Sequence, residues 1–490
     1  MPSALPSPTS TGPAARTVPP GLLVATLSVV ALTVAVLQTA VVPILRVMAE
    51  QLHASTVEIS WAVTANLLAA AATTPLIGRL ADLYTKKRVL LVVLAVVLAG
   101  SVLAATTTSL ALLILARVLQ GVSFALYPIG VSILREELPP DRLMSAMAVI
   151  SGVLGFGGGM GLVVTGLLMR GDANYHRVFW FTTVFTVLVI AAVVAVVPRR
   201  VQTGTGSVDW AGAFGLAAGL SAVLLALTQG GVWGWTSPRT LGGAVFGVVV
   251  LALWWWWERR CREPLVSTAM LGRRPILLTN IATVSVGMGL YFGFLGLTGY
   301  VETPTASGYG LGATVLYTSV VFLLPGALAG FVTALLSGRY IDRYGARPVL
   351  VAGAAIGVVG FVLLALVTRV GWPVIVAGVL VNAYISLAYG ALPALVVREV
   401  DAGETGVATS MNAIARTVGG SIAAALVAVL LSARSASGYP PESSFTAIFA
   451  LGAVTGLLAM VLIAASRPRL RELDSVQEIS ESRAMNHEWG

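Results

Sequence analysis

Few residues in this sequence can do chemistry, and they stand out against long apolar runs. Arg117 and Arg416 lie within such runs. An arginine inside a membrane span costs at least about 2.5 kcal/mol on insertion scales, so it faces protein and marks a functional candidate. Proton exchange needs a carboxylate whose exposure alternates. The candidates are Glu302, in Gly299-Tyr300-Val301-Glu302-Thr303-Pro304, and Glu58, both at the ends of apolar runs. Glu302 reads either as that group or as a solvated residue of an outer vestibule. None of the 21 acidic residues falls near the middle of a run. A third group is a charged stretch that recurs. Gly78-Arg79-Leu80-Ala81-Asp82 precedes Lys87 and Arg88, and a copy returns as Gly338-Arg339-Tyr340-Ile341-Asp342-Arg343. Asp82 is placed to face the positive N-terminus of a neighbouring helix.

The elements that must position these groups follow from composition. The chain is 57% hydrophobic and only 10% charged over 490 residues, against roughly 25% charged in soluble proteins. Its apolar runs have helical length and lack the alternation of barrel strands, so an all-α integral membrane protein is expected. Fourteen spans are predicted near 21–45, 60–78, 88–106, 109–134, 143–169, 177–198, 209–228, 238–257, 276–299, 313–337, 347–368, 371–397, 406–431 and 443–466. With both termini inside, inner segments hold 22 of the 30 Lys and Arg and outer segments six. That bias sets the orientation and accounts for the net charge of +9 without nucleic acid. The charged Gly-Arg-x-x-Asp stretches read as short loops, and their recurrence predicts two repeats.

The loop pattern resembles the cytoplasmic signature of the major facilitator superfamily. The resemblance covers most of residues 21–466 and implies two six-helix halves rocking about a central cavity, with the two loops controlling the inner gate. The motifs lie 260 residues apart, so two extra spans are placed between the halves. The expected organisation is a disordered cytoplasmic lead (1–20), a first half (21–205), an inserted helix pair with a cytoplasmic loop (206–275), a second half (276–466) and a cytoplasmic tail (467–490). The aromatic-basic turn at Asn174-Tyr175-His176-Arg177-Val178-Phe179-Trp180 resembles that of drug-exporting members, and Asp209-Trp210-Ala211-Gly212 with Thr228-Gln229-Gly230-Gly231-Val232-Trp233-Gly234-Trp235 look like the fourteen-helix drug:proton antiporter branch.

Other motifs carry the resemblance further. Arg117-Val118-Leu119-Gln120-Gly121 is similar to an Arg-x-x-Gln-Gly motif implicated in proton coupling, making Arg117 and Gln120 candidates; the alternative is that Arg117 braces helices through carbonyls. Gly152, Gly155, Gly157, Gly158 and Gly161 match the location of the antiporter motif, although Gly158 stands where its proline would be. Their density favours close helix packing and a bend. Gln38 replaces the acid common in the first span of that branch. Substrate-cavity candidates at mid-depth are Gln38, Asn66, Tyr127, Asn280, Tyr291, Tyr317, Asn382, Tyr384 and Arg416, each of which also reads as packing glue between helices.

The expected function is export of a hydrophobic or amphipathic small molecule, exchanged for protons, by a monomer in a bacterial-type inner membrane. The alternatives are an uncoupled facilitator or uptake transporter, and a non-transporting sensor. No enzyme is expected: no Ser-His-Asp grouping, phosphate loop or paired catalytic carboxylates can be assembled. No cofactor or metal is expected either, because Cys261 is the single cysteine and lies in no metal-spaced cluster.

Overall fold

The structure, a computed structural model, describes residues 18–169, 174–200, 207–366, 371–432 and 439–466. The lead up to residue 17, the tail from residue 467, and Arg170, Arg369 and Arg434 lie outside the described residues. Among the described residues, fourteen helices are long and apolar enough to cross a membrane. In the first half they are α1 (Pro20–Ile44), α2 (Glu58–Leu83), α3 (Lys86–Thr106), α4 (Leu110–Glu137), α5 (Arg142–Leu168) and α6 (His176–Val196). Next come α7 (Trp210–Trp233) and α8 (Pro238–Glu258). The second half is α9 (Arg274–Glu302), α10 (Thr318–Tyr344), α11 (Ala346–Leu366), α12 (Trp372–Arg398), α13 (Thr405–Ser432) and α14 (Glu442–Ala465).

In hydrocarbon each backbone donor and acceptor must be satisfied within the chain, which forces long apolar runs into helices. Their ends are marked chemically. Proline occupies the first turn of α1, α8 and α9, where no N–H is needed. The Asp209 carboxylate accepts the Gly212 N–H at 2.9 Å to open α7. Two helices change pitch ahead of a proline. A tight turn at Val122–Ala125 precedes Pro128 in α4, and a wide π turn at Thr318–Leu323 precedes Pro325 in α10. Proline removes an N–H and crowds the preceding turn, and altered pitch absorbs both.

Within the first half α5 and α6 pack on α1, α4 on α2, and α3 on α4 and α6; the second half repeats this with α13 and α14 on α9, α12 on α10, and α11 on α12 and α14. The halves meet where α5 packs on α10 and α12, and where α13 packs on α2 and α4. The glycines of α5 set how closely it lies against its partners. A side chain at Gly152 or Gly159 would strike Ala334 or Ala327 of α10, and one at Gly157 or Gly161 would strike α1. Gly155 and Gly158 have ordinary space around them. The helix runs unbroken from Pro140 to Leu168.

The pair α7 and α8 packs on itself and leans through α7 on α2 and α13. Only 17% of the most apolar stretch of α8 is buried, and Leu241, Val245, Phe246 and Leu253 face outward, as suits lipid contact.

One expectation needs correcting. The Gly-Arg-x-x-Asp stretches are not loops. Gly78–Leu83 forms the last turns of α2, and Gly338–Tyr344 those of α10. Nothing in either stretch breaks a helix until Tyr84 turns extended or Gly345 takes φ 84°, a left-handed value glycine accepts without strain. The motif aspartates therefore sit on rigid helix ends.

Candidate functional site

The two ends of the bundle differ. At the end formed by the α1–α2 and α9–α10 connections, a cavity of about 770 Å³ opens between the halves. That volume suits a drug-sized ligand. Its first-half wall includes Pro43, Glu50, Ile59 and Leu162, and its second-half wall Phe294, Thr298, Glu302 and Thr318. The lining is apolar with hydroxyls and two carboxylates from opposite halves. Glu302 ends α9, so it lies at the negative end of a helix dipole. Glu50 joins it from the α1–α2 connection. Sequence reading passed Glu50 over because it precedes the second apolar run instead of touching it.

Glu58 does something else. Ser55 donates its backbone N–H at 2.8 Å and its hydroxyl at 2.7 Å to the Glu58 carboxylate, while the Glu58 N–H donates to the Ser55 hydroxyl at 3.2 Å. This reciprocal capping box starts the helix containing α2. Glu58 is exposed and serves this cap.

The opposite end is sealed. The Asp82 carboxylate, 6% exposed, accepts the backbone N–H groups of Gly406 and Val407, each at 3.0 Å. These belong to the first turn of α13, where helix N–H groups have no partner of their own and the dipole favours an anion. Gly78 makes the approach possible: a Cβ there would come 2.8 Å from the Gly406 carbonyl oxygen. Arg135, at the end of α4, closes the same seam by donating to the Val400 carbonyl at 2.8 Å and the Thr405 hydroxyl at 2.6 Å. The second copy of the motif reaches the first half in turn. Gly338 packs on Ser145 of α5, whose hydroxyl donates to Asp342 at 2.9 Å.

A duplicated Gly-Arg-x-x-Asp helix end now bridges the halves twice, in a bundle of two six-helix units. The family model described as Major Facilitator Superfamily matches residues 27–209, 191–424 and 311–484. The chain belongs to this superfamily. Among its relatives is the tetracenomycin C resistance and export protein of Streptomyces glaucescens, 28% identical over 410 residues that cover 80% of this chain and 72% of that one. Another is the uridine/deoxyuridine transporter of Lactococcus lactis, 27% identical over 361 residues that cover 71% of this chain and 73% of that one. This chain spans between 57% and 73% of the length of such curated relatives. The crystal structure of a human organic anion transporter superposes with a TM-score of 0.60 at 15% identity, over 90% of this chain and 99% of that one. At that identity it shows the fold alone.

Between cavity and seal lie the buried polar groups of this superfamily member. Arg117, 1% exposed, donates through Nε to the Ala62 carbonyl at 2.9 Å and through a terminal nitrogen to Leu37 O at 3.2 Å and Gln120 Oε1 at 2.6 Å. Asn66 donates to the Arg117 carbonyl at 2.9 Å, and Gln120 donates to the Ser101 hydroxyl at 3.0 Å. The net joins α1, α2, α3 and α4 and contains carbonyls, amides and a hydroxyl. The guanidinium thus braces the first half against neutral acceptors.

The mid-depth candidates separate. Tyr127, Tyr291 and Arg416 come together, joined by Tyr389, which sequence reading missed. Of the other six, Tyr384 adjoins this group through Tyr389, and five lie apart from it. Tyr384 is fully buried inside the second half against Gly357. Asn280 accepts from Asn412 at 3.0 Å near the sealed end, and Asn382 donates to Gly378 of its own helix at 3.0 Å. Asn66 serves Arg117, Gln38 is half-buried on α1, and Tyr317 is half exposed ahead of α10. None of the nine lines the open cavity, whose wall is built from apolar and hydroxyl side chains plus carboxylates.

The basic members of the motifs divide likewise. Lys86 pairs with Glu136, and Lys87 donates to the Val194 carbonyl at 2.8 Å, both within the first half. Arg88 and Arg339 are exposed. Arg343 lies over the Tyr344 ring at 5.3 Å. Arg79 borders a second space of about 230 Å³ with Arg262, Glu263 and Glu404.

Proposed function

We propose that this chain exports hydrophobic or amphipathic small molecules by alternating access, with protons moving inward in exchange. The single observation that carries the reading is the asymmetry of the pathway. A drug-sized cavity lies open at one end while the other is latched by Asp82 on the first turn of α13. Such a pair of gates is what one stage of a transport cycle requires. The export relative from Streptomyces glaucescens supports the direction and the kind of cargo. Loop charge supports a cytoplasmic sealed end with both termini inside and a bacterial-type inner membrane. The halves at 21–205 and 276–466, with 206–275 inserted, would then move as the units of a monomer.

In this scheme the open cavity faces outward and cargo leaves from it. Glu302 takes up a proton from the outer solution there, which removes its charge before the cavity narrows around it. Opening the inner end breaks the two hydrogen bonds at Asp82. Bonds to a charged acceptor contribute about 1.5–3 kcal/mol each, so the change must be offset by helix packing at the closing outer end and by the cargo's preference for the other state.

A second reading is uptake without proton coupling. The uridine/deoxyuridine relative favours it, as does Gln38 where the branch often has an acid. Purified protein in liposomes separates the two, using an imposed pH gradient and a panel of lipophilic dyes and antibiotics. Gradient-driven movement that falls on Glu302→Gln supports antiport; movement indifferent to the gradient supports the facilitator.

A further inference from the structure

Arg416 is a charge at the boundary of the halves for which the described protein supplies no hydrogen-bond acceptor. It lies 11 residues into α13, about 16 Å from the sealed end at 1.5 Å per residue. Its guanidinium carbon is 4.6 Å from the Tyr389 ring centroid on α12 and 5.6 Å from that of Tyr127 on α4. Tyr127 belongs to the first half, so the contact crosses the transport boundary. The contrast with Arg117 is chemical. Arg117 directs its nitrogens at carbonyl and amide oxygens. Arg416 is held by ring faces, and its nitrogens are absent from the sealed, unpartnered atoms among the described residues, so they remain accessible.

The placement is fixed from behind. Gly287 leaves room only for the Arg416 backbone and Gly420 for the Tyr291 ring, so α13 lies flush on α9, and Tyr291 of α9 stays near the Arg416 charge. Tyr127 is anchored by a 2.8 Å hydrogen bond between its hydroxyl and Ser151. A guanidinium offers five donors in a planar fork suited to carboxylate or another planar anion, and its faces stack on aromatic rings. Cation–π contact engages the faces and leaves the in-plane donors open. Sequence places none of the 21 acidic residues at this depth, so the matching anion must arrive with a ligand.

The geometry points to a central subsite at Arg416, walled by Tyr127 and Tyr389, that takes an aromatic small molecule bearing an anionic oxygen. This rests on the export reading and names one class of cargo within it. The rings receive the flat apolar body, and the guanidinium receives the carboxylate or phenolate. Tyr127 comes from the first half and Arg416 and Tyr389 from the second, so both halves build the subsite.

The test is equilibrium binding of two isosteric probes, 2-naphthoate and neutral 2-naphthamide, to the purified full-length chain in lipid nanodiscs. Wild type should bind the anion at least about tenfold tighter than the amide, the effect of one charged hydrogen-bonding contact. Arg416→Gln should erase that preference while amide affinity stays within about threefold. Arg416→Lys, which keeps the charge and loses the fork, should retain part of it, and it covers the case in which the glutamine variant does not fold. Tyr389→Leu should weaken both probes together. Equal binding of the two probes by wild type, no binding of either, or a preference that survives in Arg416→Gln overturns the subsite. Gradient-driven export of other compounds alongside such a result leaves the export reading standing. Charge-selective naphthoate binding with no transport of any compound upholds the subsite and overturns export.

Discussion

The carboxylate of Asp82 accepts the backbone N–H of Gly406 at 3.0 Å across a sequence separation of 324 residues. One side chain at the end of α2 thereby holds the start of α13 and closes one end of the pathway. The bond uses a donor that every helix start leaves free, so its strength depends on Asp82 being charged and on Gly78 letting the helices touch.

Asp82→Asn keeps the shape and loses the charge. Its amide can present an oxygen to one N–H but turns its own NH₂ toward the other. We expect transport to fall by at least about tenfold, consistent with loss of a charged hydrogen bond, while the protein still purifies as a folded species. Thiol labelling of single cysteines along the α2–α13 seam should rise. Wild-type transport rates and unchanged labelling in this variant would remove the latch role.

Arg117 and Gln120 test bracing against coupling. Arg117→Ala leaves Ala62 O, Leu37 O and Gln120 without their donor in the interior of the first half. Unsatisfied buried groups cost about 1–3 kcal/mol each, so thermal unfolding in detergent should move down by several degrees. A variant with wild-type melting and no proton-driven transport would instead show that Arg117 acts in coupling.

The glycines of α5 divide by what they touch. Gly161→Leu drives a side chain into Thr39 and Val36 of α1, and overpacking of this kind costs about 1–3 kcal/mol. Gly158→Ala meets only ordinary contact with Thr39 at 3.7 Å, and it should melt at or above the wild-type temperature because alanine favours the helix. Equal loss in both variants would mean that the α1–α5 contact is not what these glycines serve.

Glu302 and Glu58 have distinct expected phenotypes. Glu302→Gln should abolish transport driven by a pH gradient and leave energy-independent exchange of cargo near the wild-type rate. Glu58→Gln loosens the cap of the α2 helix and should lower the melting temperature slightly, with gradient-driven transport unaffected. The reverse pattern in proteoliposomes would reassign the proton site.

How much was legible follows from which interactions side-chain types encode. Fourteen spans and the placement of Asp82 against a helix N-terminus were readable because charge among apolar runs is rare. The partners of Asp82 and Arg135 were not, since Gly406, Val407 and Val400 offer backbone groups that any residue would carry. The motif stretches read as loops because they are charged, yet a helix end tolerates charge as well as a loop does. The cavity was sought among polar side chains, but Asn280 and Asn66 spend their polarity within one half, and Tyr384 is buried with its hydroxyl unpartnered among the described residues. Its actual wall, with Phe294, Leu162 and Thr298, differs in no sequence pattern from a lipid-facing surface. Arg416 was singled out by type, whereas its pairing with Tyr389 needed the crossing of α12 and α13.

The most direct measurement of the central claim is a pair of spin-label distances by double electron–electron resonance, with Cys261→Ser removing the native thiol. One pair, Tyr84→Cys with Gly403→Cys, spans the sealed end; the other, Thr108→Cys with Thr305→Cys, spans the open end. All four positions are exposed. In lipid nanodiscs, adding Asp82→Asn should lengthen the first distance and shorten the second, because the two ends exchange access. Distances unchanged by that substitution, or both moving in the same sense, would contradict alternating access governed by the Asp82 latch.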